Sequence, residues 1–508
     1  MASENDILLG IDFGTGGCKI TAVSAVSGNV LGEASVEYFT EFAHQGWSEQ
    51  KPEDWYVAMC KAIAQVGANG VNLSNVRAIA FDGSTHNAVL LDENYKPVRK
   101  TIMWTDQRSV KQCQFLRDNY CQQIFDTAYQ MPTPTWTLPQ MMWLKDNEPD
   151  VLKKTKRVLF VKDYVRYLVT GIACTDYIEA QGTLFFDMKN RCWSPELVEL
   201  SGLDFSSLPE LVKPCDVVGK VTESAARDMG LPEGIPVICG TSDSAVEDYG
   251  AGAIEPNDCI IKLATAGNVN VMTSEAHTSP TTLTYSHVID GMWYSVAATN
   301  AAALCLRWFR DAFCGEEKIR AEQTGERVFK LVDALAEKSP VGANGVMFHP
   351  YLQGERSPYW DADLRSSFTG VSISSNKGDF IRALMEGVAF SLKDCYGSIE
   401  QMGLPVKRIF LIGGGARGKL WSEIIANVFN LSAAVSLPGD ASYGSALLAG
   451  VGAGFYSTPA DAVRQCLKFD RTVQPNAEIA QIYSTLFEKY KSIHDALAPI
   501  YKNNFFTK

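Results

Sequence analysis

The sequence predicts an α/β protein whose two domains face each other across a central cleft. Its 508 residues exceed what one hydrophobic core organises, since domains run to ~100–200 residues. Short apolar runs ending in glycine-rich turns recur along the chain and read as buried strands. Helix-like stretches lie between them, and strands alternating with helices give sheets covered by helices.

The first such run is Ile7 to Phe13, followed at once by Gly14-Thr15-Gly16-Gly17. A helix is expected from Pro52 to Val66. A second run, Ile235 to Cys239, leads through Gly240-Thr241-Ser242 to Asp243. The small and turn-forming residues Gly250 to Asp258 mark the domain boundary, which gives domains 1–253 and 254–508. Beyond it, Ile260 to Val271 repeats the opening plan with Thr265-Ala266-Gly267 as its turn. Apolar Phe380, Leu384, Val388 and Leu392 predict a helix over Asp379 to Tyr396. The run Ile409 to Ile412 ends in Gly413-Gly414-Gly415-Ala416, ahead of a helix from Leu420 to Phe429. Helix-like segments after Thr458 complete the chain.

Apolar residues make up 46% and charged ones 20%, which fits a folded soluble chain rather than a disordered one. The net charge of −12 repels nucleic acid and anionic membrane surfaces, so neither is an expected partner. An acidic protein still binds a polyphosphate where backbone amides and Mg²⁺ make the site locally positive. The 13 cysteines are odd in number, scattered, and never spaced Cys-x-x-Cys, which reads as a reduced chain without a zinc site. No signal peptide precedes Ile7 and no run approaches the ~18 apolar residues of a membrane span. A cytoplasmic protein is expected.

Phosphate binding needs several backbone N–H groups converging, and glycines beside a small hydroxyl residue permit that approach. Gly14-Thr15-Gly16-Gly17 offers this, with Asp12 placed to hold Mg²⁺ through water and Lys19 across the hairpin; an ordinary hairpin turn reads the same way locally. Thr265 and Gly267 carry the same two readings, and recurrence gives them force. Asp243 places a carboxylate at a strand end, as a general base on a substrate hydroxyl or as a helix cap for Ala245 to Tyr249. Gly413 to Ala416 admit an adenosine, or pack a strand closely on a helix. Gly83-Ser84-Thr85-His86, Trp104-Thr105-Asp106-Gln107-Arg108 and Gly354-Glu355-Arg356-Ser357-Pro358 suit convergence on a polyol, though surface turns look similar. A lone histidine such as His86 is more often structural than functional.

Taken together and in order, these motifs resemble the FGGY carbohydrate kinases of the actin-like ATPase superfamily over nearly the whole chain. Thr175-Asp176-Tyr177 with Ala180, Tyr443-Gly444-Ser445-Ala446 and the segment Phe368 to Glu386 extend the likeness. The resemblance implies two ribonuclease-H-like domains, ATP and Mg²⁺ as cofactors, and γ-phosphoryl transfer to a sugar hydroxyl. It implies Asp243 as catalytic base and Asp12 as the Mg²⁺ residue. Thr85, His86, Trp104, Asp106, Arg108, Asp176 and Asp243 are implied to meet the sugar. Thr15, Gly16, Gly17, Lys19, Thr265 and Gly267 are implied to meet phosphates, and Gly413, Gly414, Gly415 and Ala416 the adenosine. Domain closure would exclude water, and a homodimer is the assembly carried forward.

Within the family the chain looks most like xylulose kinases, with D-xylulose as acceptor; another ketose, a polyol or an aldonate is the rival. Those enzymes usually carry Gly-Gln-Met-His-Gly where this chain has Gly83-Ser84-Thr85-His86-Asn87, and Asp-Asn where it has Asp243-Ser244. Gln140 stands where the family usually has lysine. A non-kinase ATPase of the same fold is the reading from a different class, and a sugar-binding protein without catalysis another.

Overall fold

The computed structural model describes residues 3–436 and 438–502. They form two compact units. The first gathers residues 3–254 with Thr284–Trp293 and residues 438–467; the second holds Glu255–Leu283 and residues 294–436 and 468–502. To the single cut expected between 253 and 254, the structure thus adds two later segments that pack with the first unit.

The first unit is built on six strands, in the order Val217–Lys220, Pro236–Ser242, Val76–Gly83, Ile7–Gly14, Gly17–Ser24 and Val30–Glu37. Ile7–Gly14 pairs antiparallel with Gly17–Ser24 through a turn that sets Gly14 opposite Gly17, and parallel with Val76–Gly83. Pro236–Ser242 continues the parallel set. Alternation sorts the first strand: Leu9, Ile11 and Phe13 enter a core with Trp55, Met59 and Ile63 of the helix Pro52–Ala68. Each such buried side chain contributes roughly 1.5–3 kcal/mol.

The helix Ala441–Gly452 takes the other face. A Cβ on Gly10 would stand 1.7 Å from the Ser442 carbonyl oxygen, and one on Gly444 2.1 Å from that of Val246, so both positions must be glycine.

The second unit repeats the plan. Strands Trp293–Thr299, Gly267–Thr273, Asp258–Leu263, Arg408–Ile412, Ala433–Ser436 and Phe469–Val473 lie side by side in that order. The antiparallel hairpin again precedes two parallel neighbours. The helix Lys377–Glu400, longer than expected at both ends, starts from a capping box of Asn376 and Asp379. It buries Leu384, Val388 and Leu392 against Ile261, Leu263 and Ile425. Among the described residues no helix is long and apolar enough to cross a membrane.

Candidate active site

Three neighbouring parallel strands of the first unit each deliver a carboxylate at one end. Asp12 lies level with Asp82, and Thr241, two residues before Asp243, lies level with Asp82 on its other side. Asp82 is fully buried; one oxygen accepts 2.5 Å from Ser445 Oγ, while the Asp12 and Asp82 carboxyls face each other closely enough to share a proton. Burial, then the charge of Asp243, pushes the Asp12 carboxyl up to about 7. Burial, then Asp12, holds Asp82 well above the usual carboxylate range. Two buried carboxyls side by side resist carrying two negative charges at once.

Asp243 is the first residue of the helix Asp243–Ala251; the cap is Ser242, whose side chain makes no capping bond. The Asp243 carboxylate accepts from the Ser244 N–H at 2.7 Å and faces Thr85 Oγ1 at 3.5 Å.

The turn after Asp12 is braced from outside. Trp104 Nε1 donates to Thr15 Oγ1 at 2.9 Å, Gln50 Nε2 donates to the Thr15 carbonyl at 2.7 Å, and Tyr38 donates to the Gly14 carbonyl. Gly16 is exposed, and a Cβ there would meet nothing within 4 Å, whereas one on Gly17 would press on the Val36 carbonyl. Lys19 is engaged elsewhere: its ammonium pairs with Glu33 at 2.8 Å and with Asp440.

The residues expected to meet a sugar divide into two sets. Thr85 and Trp104, the latter 39% exposed, stand beside Asp243 and Thr15 respectively. His86 adopts a φ of 57°, donates its backbone N–H to Glu179 at 2.6 Å and packs on Trp136. Burial pushes its imidazole down to about 3, so it is neutral. Asp106 and Arg108 are spent on each other in a two-pronged pair of 2.9 and 2.8 Å. Arg108 also reaches Glu49 at 2.7 Å and covers the Trp47 ring, and Asp106 accepts from the Ser48 N–H. Asp176 caps the helix Tyr177–Gln181, accepts from Thr241 Oγ1 at 2.6 Å and pairs with buried Lys162 at 2.8 Å. The polar atoms of these three side chains are taken up by protein partners.

Two residues escaped the sequence reading. Asp82 carried a signal, since it ends an apolar run before a glycine much as Asp12 does. Tyr285 carried none: its segment comes from the C-terminal half and is held by Gln130 on the Thr284 carbonyl and Gln181 on Ser286. Burial, then Asp243 and Glu179, raises the Tyr285 phenol, which puts it within the field of Asp243.

In the second unit Thr265 is exposed, and its carbonyl accepts from Ala302 N at 2.9 Å. A Cβ on Gly267 would crowd Leu392 and Thr299 at 2.9 Å. Gly413 has φ 87° and passes over the Leu263 carbonyl, Gly414 is exposed with open space above it, and Gly415 packs on Leu263. Ala416 is buried, its carbonyl accepting from Arg471 at 2.7 Å and Ser422 at 2.9 Å. Glu355 is buried behind the Thr265 turn, accepting from Thr299 Oγ1 at 2.6 Å and Asn300 N at 2.8 Å. The motif Gly354 to Pro358 is therefore scaffold for this unit. A cavity of about 430 Å³ elsewhere in the unit is lined by Arg382 and Tyr483, whose polar atoms already pair with each other and with Glu386.

Residues 7–250 match the N-terminal domain of the FGGY family of carbohydrate kinases, and residues 261–453 match its C-terminal domain. The chain belongs to the FGGY family of carbohydrate kinases. It is an ATP-dependent sugar kinase with two domains of the actin-like ATPase fold. A xylulose kinase of Staphylococcus epidermidis is 32% identical over 494 residues, 96% of each chain. A gluconokinase of Bacillus subtilis is 26% identical, covering 94% of each. The crystal structure of xylulose kinase from Rhodospirillum rubrum superposes with a TM-score of 0.87 at 26% identity, covering 97% of this chain and 99% of that one.

The residues of this FGGY kinase fit a hard divalent cation. Among the described residues no group of three His, Cys, Asp or Glu is placed to hold one, but Asp12 and Asp82 set two adjacent carboxyls, one of them fully buried, whose mutual repulsion a cation would relieve. Mg²⁺ is commonly held by one or two carboxylates plus substrate phosphates.

Proposed function

We propose that this kinase transfers the γ-phosphoryl group of ATP to D-xylulose, giving D-xylulose 5-phosphate. The placement of Asp243, in a first helical turn and facing Thr85 Oγ1 at 3.5 Å, carries the reading. In it, Asp243 accepts the proton of the attacking hydroxyl, a role worth ~10²- to 10⁴-fold in rate. Thr85 and His86 orient the sugar, and Trp104 supplies an apolar wall. Residues 1–253 are assigned the acceptor and the first phosphate turn, Thr15 to Gly17; residues 254–508 are assigned the nucleotide, with Thr265 and Gly267 at its phosphates and Gly413 to Ala416 at its adenosine. Asp12, beside Asp82, would hold Mg²⁺, which neutralises phosphate charge when bound. The near full-length likeness to xylulose kinases supports the sugar.

A second reading, an aldonate or another polyol as acceptor, is favoured by the gluconokinase relative. Asn87 Nδ2 donates to both the Ser84 carbonyl and its hydroxyl, at 2.6 and 2.9 Å, so these two residues bond each other and Thr85 is left to face the base.

ADP release measured over D-xylulose, L-xylulose, D-ribulose, L-ribulose, glycerol, erythritol and gluconate decides. Turnover highest on D-xylulose is expected; a higher kcat/KM on gluconate replaces it with the second reading. Asp243→Ala should abolish sugar-dependent turnover while ADP still binds.

A further inference from the structure

We propose that Arg307 is a polyphosphate-binding residue, standing over the Thr265–Gly267 turn to meet the nucleotide's phosphates. The inference rests on the reading of that turn as a phosphate cradle. Arg307 lies on the helix Ala303–Phe313, is exposed, and brings Nη2 to 3.5 Å from Thr265 Oγ1, the outer limit of a hydrogen bond. The guanidinium is at the turn without being consumed by it.

Several cations of the second unit are already paired. Arg310 and Lys318 pair with Asp311, Lys377 with Glu317, Arg382 with Glu386 and Arg408 with Asp258. Among the described residues Arg307 has no ion-pair partner. In a chain of net charge −12, an unneutralised arginine beside a phosphate-type turn makes that turn locally positive. Its planar fork of N–H donors matches phosphate oxygens.

The mounting is rigid, as a recognition site requires. Ala302 N and Leu304 N donate to the Thr265 carbonyl at 2.9 and 3.3 Å, and Ala303 N donates to the Ala264 carbonyl at 2.7 Å. The first turn of Arg307's own helix is thereby stitched to the hairpin. Glu355 clamps the preceding loop at Thr299 and Asn300.

The test is calorimetric titration of ADP and of adenosine into the wild type, Arg307→Gln and Arg307→Lys, with sugar affinity and thermal stability measured alongside. Arg307→Gln should weaken ADP binding roughly 10- to 100-fold, the range of a charge-assisted hydrogen bond. Arg307→Lys should lose less, and adenosine, sugar and melting temperature should hold. Unchanged ADP affinity in Arg307→Gln overturns the proposal, as does an equal loss for adenosine, which marks a structural role. Hydrogen exchange on the wild type separates the two readings. If ADP slows exchange at residues 264–268 while Arg307→Gln binds normally, the turn cradles phosphate without Arg307. If ADP leaves those amides untouched, the cradle reading itself falls.

Discussion

The turn at Gly14–Gly17 and the turn at Leu263–Gly267 each close an antiparallel hairpin ahead of two parallel strands, yet they are dressed with opposite charge. Around the first stand Asp12, Asp82 and Asp243, and its nearby lysine, Lys19, is tied to Glu33 and Asp440. Around the second stands Arg307, while Glu355 behind it is spent on backbone and hydroxyl donors. A repeated topology has not repeated its chemistry, because the fold fixes where the strand ends lie and leaves their side chains free to differ. The acidic turn suits a proton acceptor and a cation; the other suits an anion.

The sharpest break of this contrast is Asp243→Ala. If the acidic side carries the base, kcat falls ~10²- to 10⁴-fold while ADP affinity, which the proposal places on the two glycine turns and the adenosine site rather than on Asp243, stays. A parallel loss of ADP binding would mean that the two sides do not divide the work. Next in size is Arg108→Ala. Its guanidinium is 1% exposed and holds Asp106, which is 0% exposed, so truncation strands buried carboxylates and costs about 3–5 kcal/mol of stability in urea unfolding. The sugar KM at a permissive temperature should hold; a raised KM in a fully stable variant would return Arg108 to the substrate.

These variants bear on what the sequence could and could not tell. Both hairpins were legible because strand, turn and strand are contiguous, and Asp12 and Asp243 because each closes an apolar run. The fates of Lys19, Asp106, Arg108 and Asp176 were not. Lys19 meets Asp440, 421 residues away, and Asp176 meets Thr241, 65 residues away. Local sequence gives a polar group's type and strand-end position, but only the folded chain decides whether a partner already occupies it. Arg307 was hidden in the same way, in mid-helix, without a motif of its own.

His86 offers a graded test within the acidic unit. Its folded pKa is depressed from 6.5 to about 3 by burial, so its contribution to stability is present above pH 6.5 and is lost as pH falls toward 3. Unfolding free energy should therefore fall by about 1.4 kcal/mol per pH unit from this group in that window. His86→Gln should flatten the slope by that amount. His349, in the second unit and depressed to about 4, provides a second such window that the substitution leaves in place. An unchanged slope would mean that the His86 imidazole titrates normally.

The smallest expected effect is the most telling for the comparison. Lys19 occupies the place where a phosphate-binding lysine is expected, but its side chain is 30% exposed and shares Glu33 and Asp440, at 43% and 38%. Pairs that exposed are worth ~0–1 kcal/mol and weaken with salt. Lys19→Met should lower the melting temperature slightly at low ionic strength, less at high, and leave ADP affinity nearly unchanged. The reason is electrostatic: two carboxylates already neutralise the ammonium, so a phosphate arriving at Thr15 to Gly17 gains little from it and depends on bare amides and on a cation at Asp12. A tenfold loss of ADP affinity would show Lys19 leaving its partners for the nucleotide, and the two turns would then each carry a phosphate cation of their own.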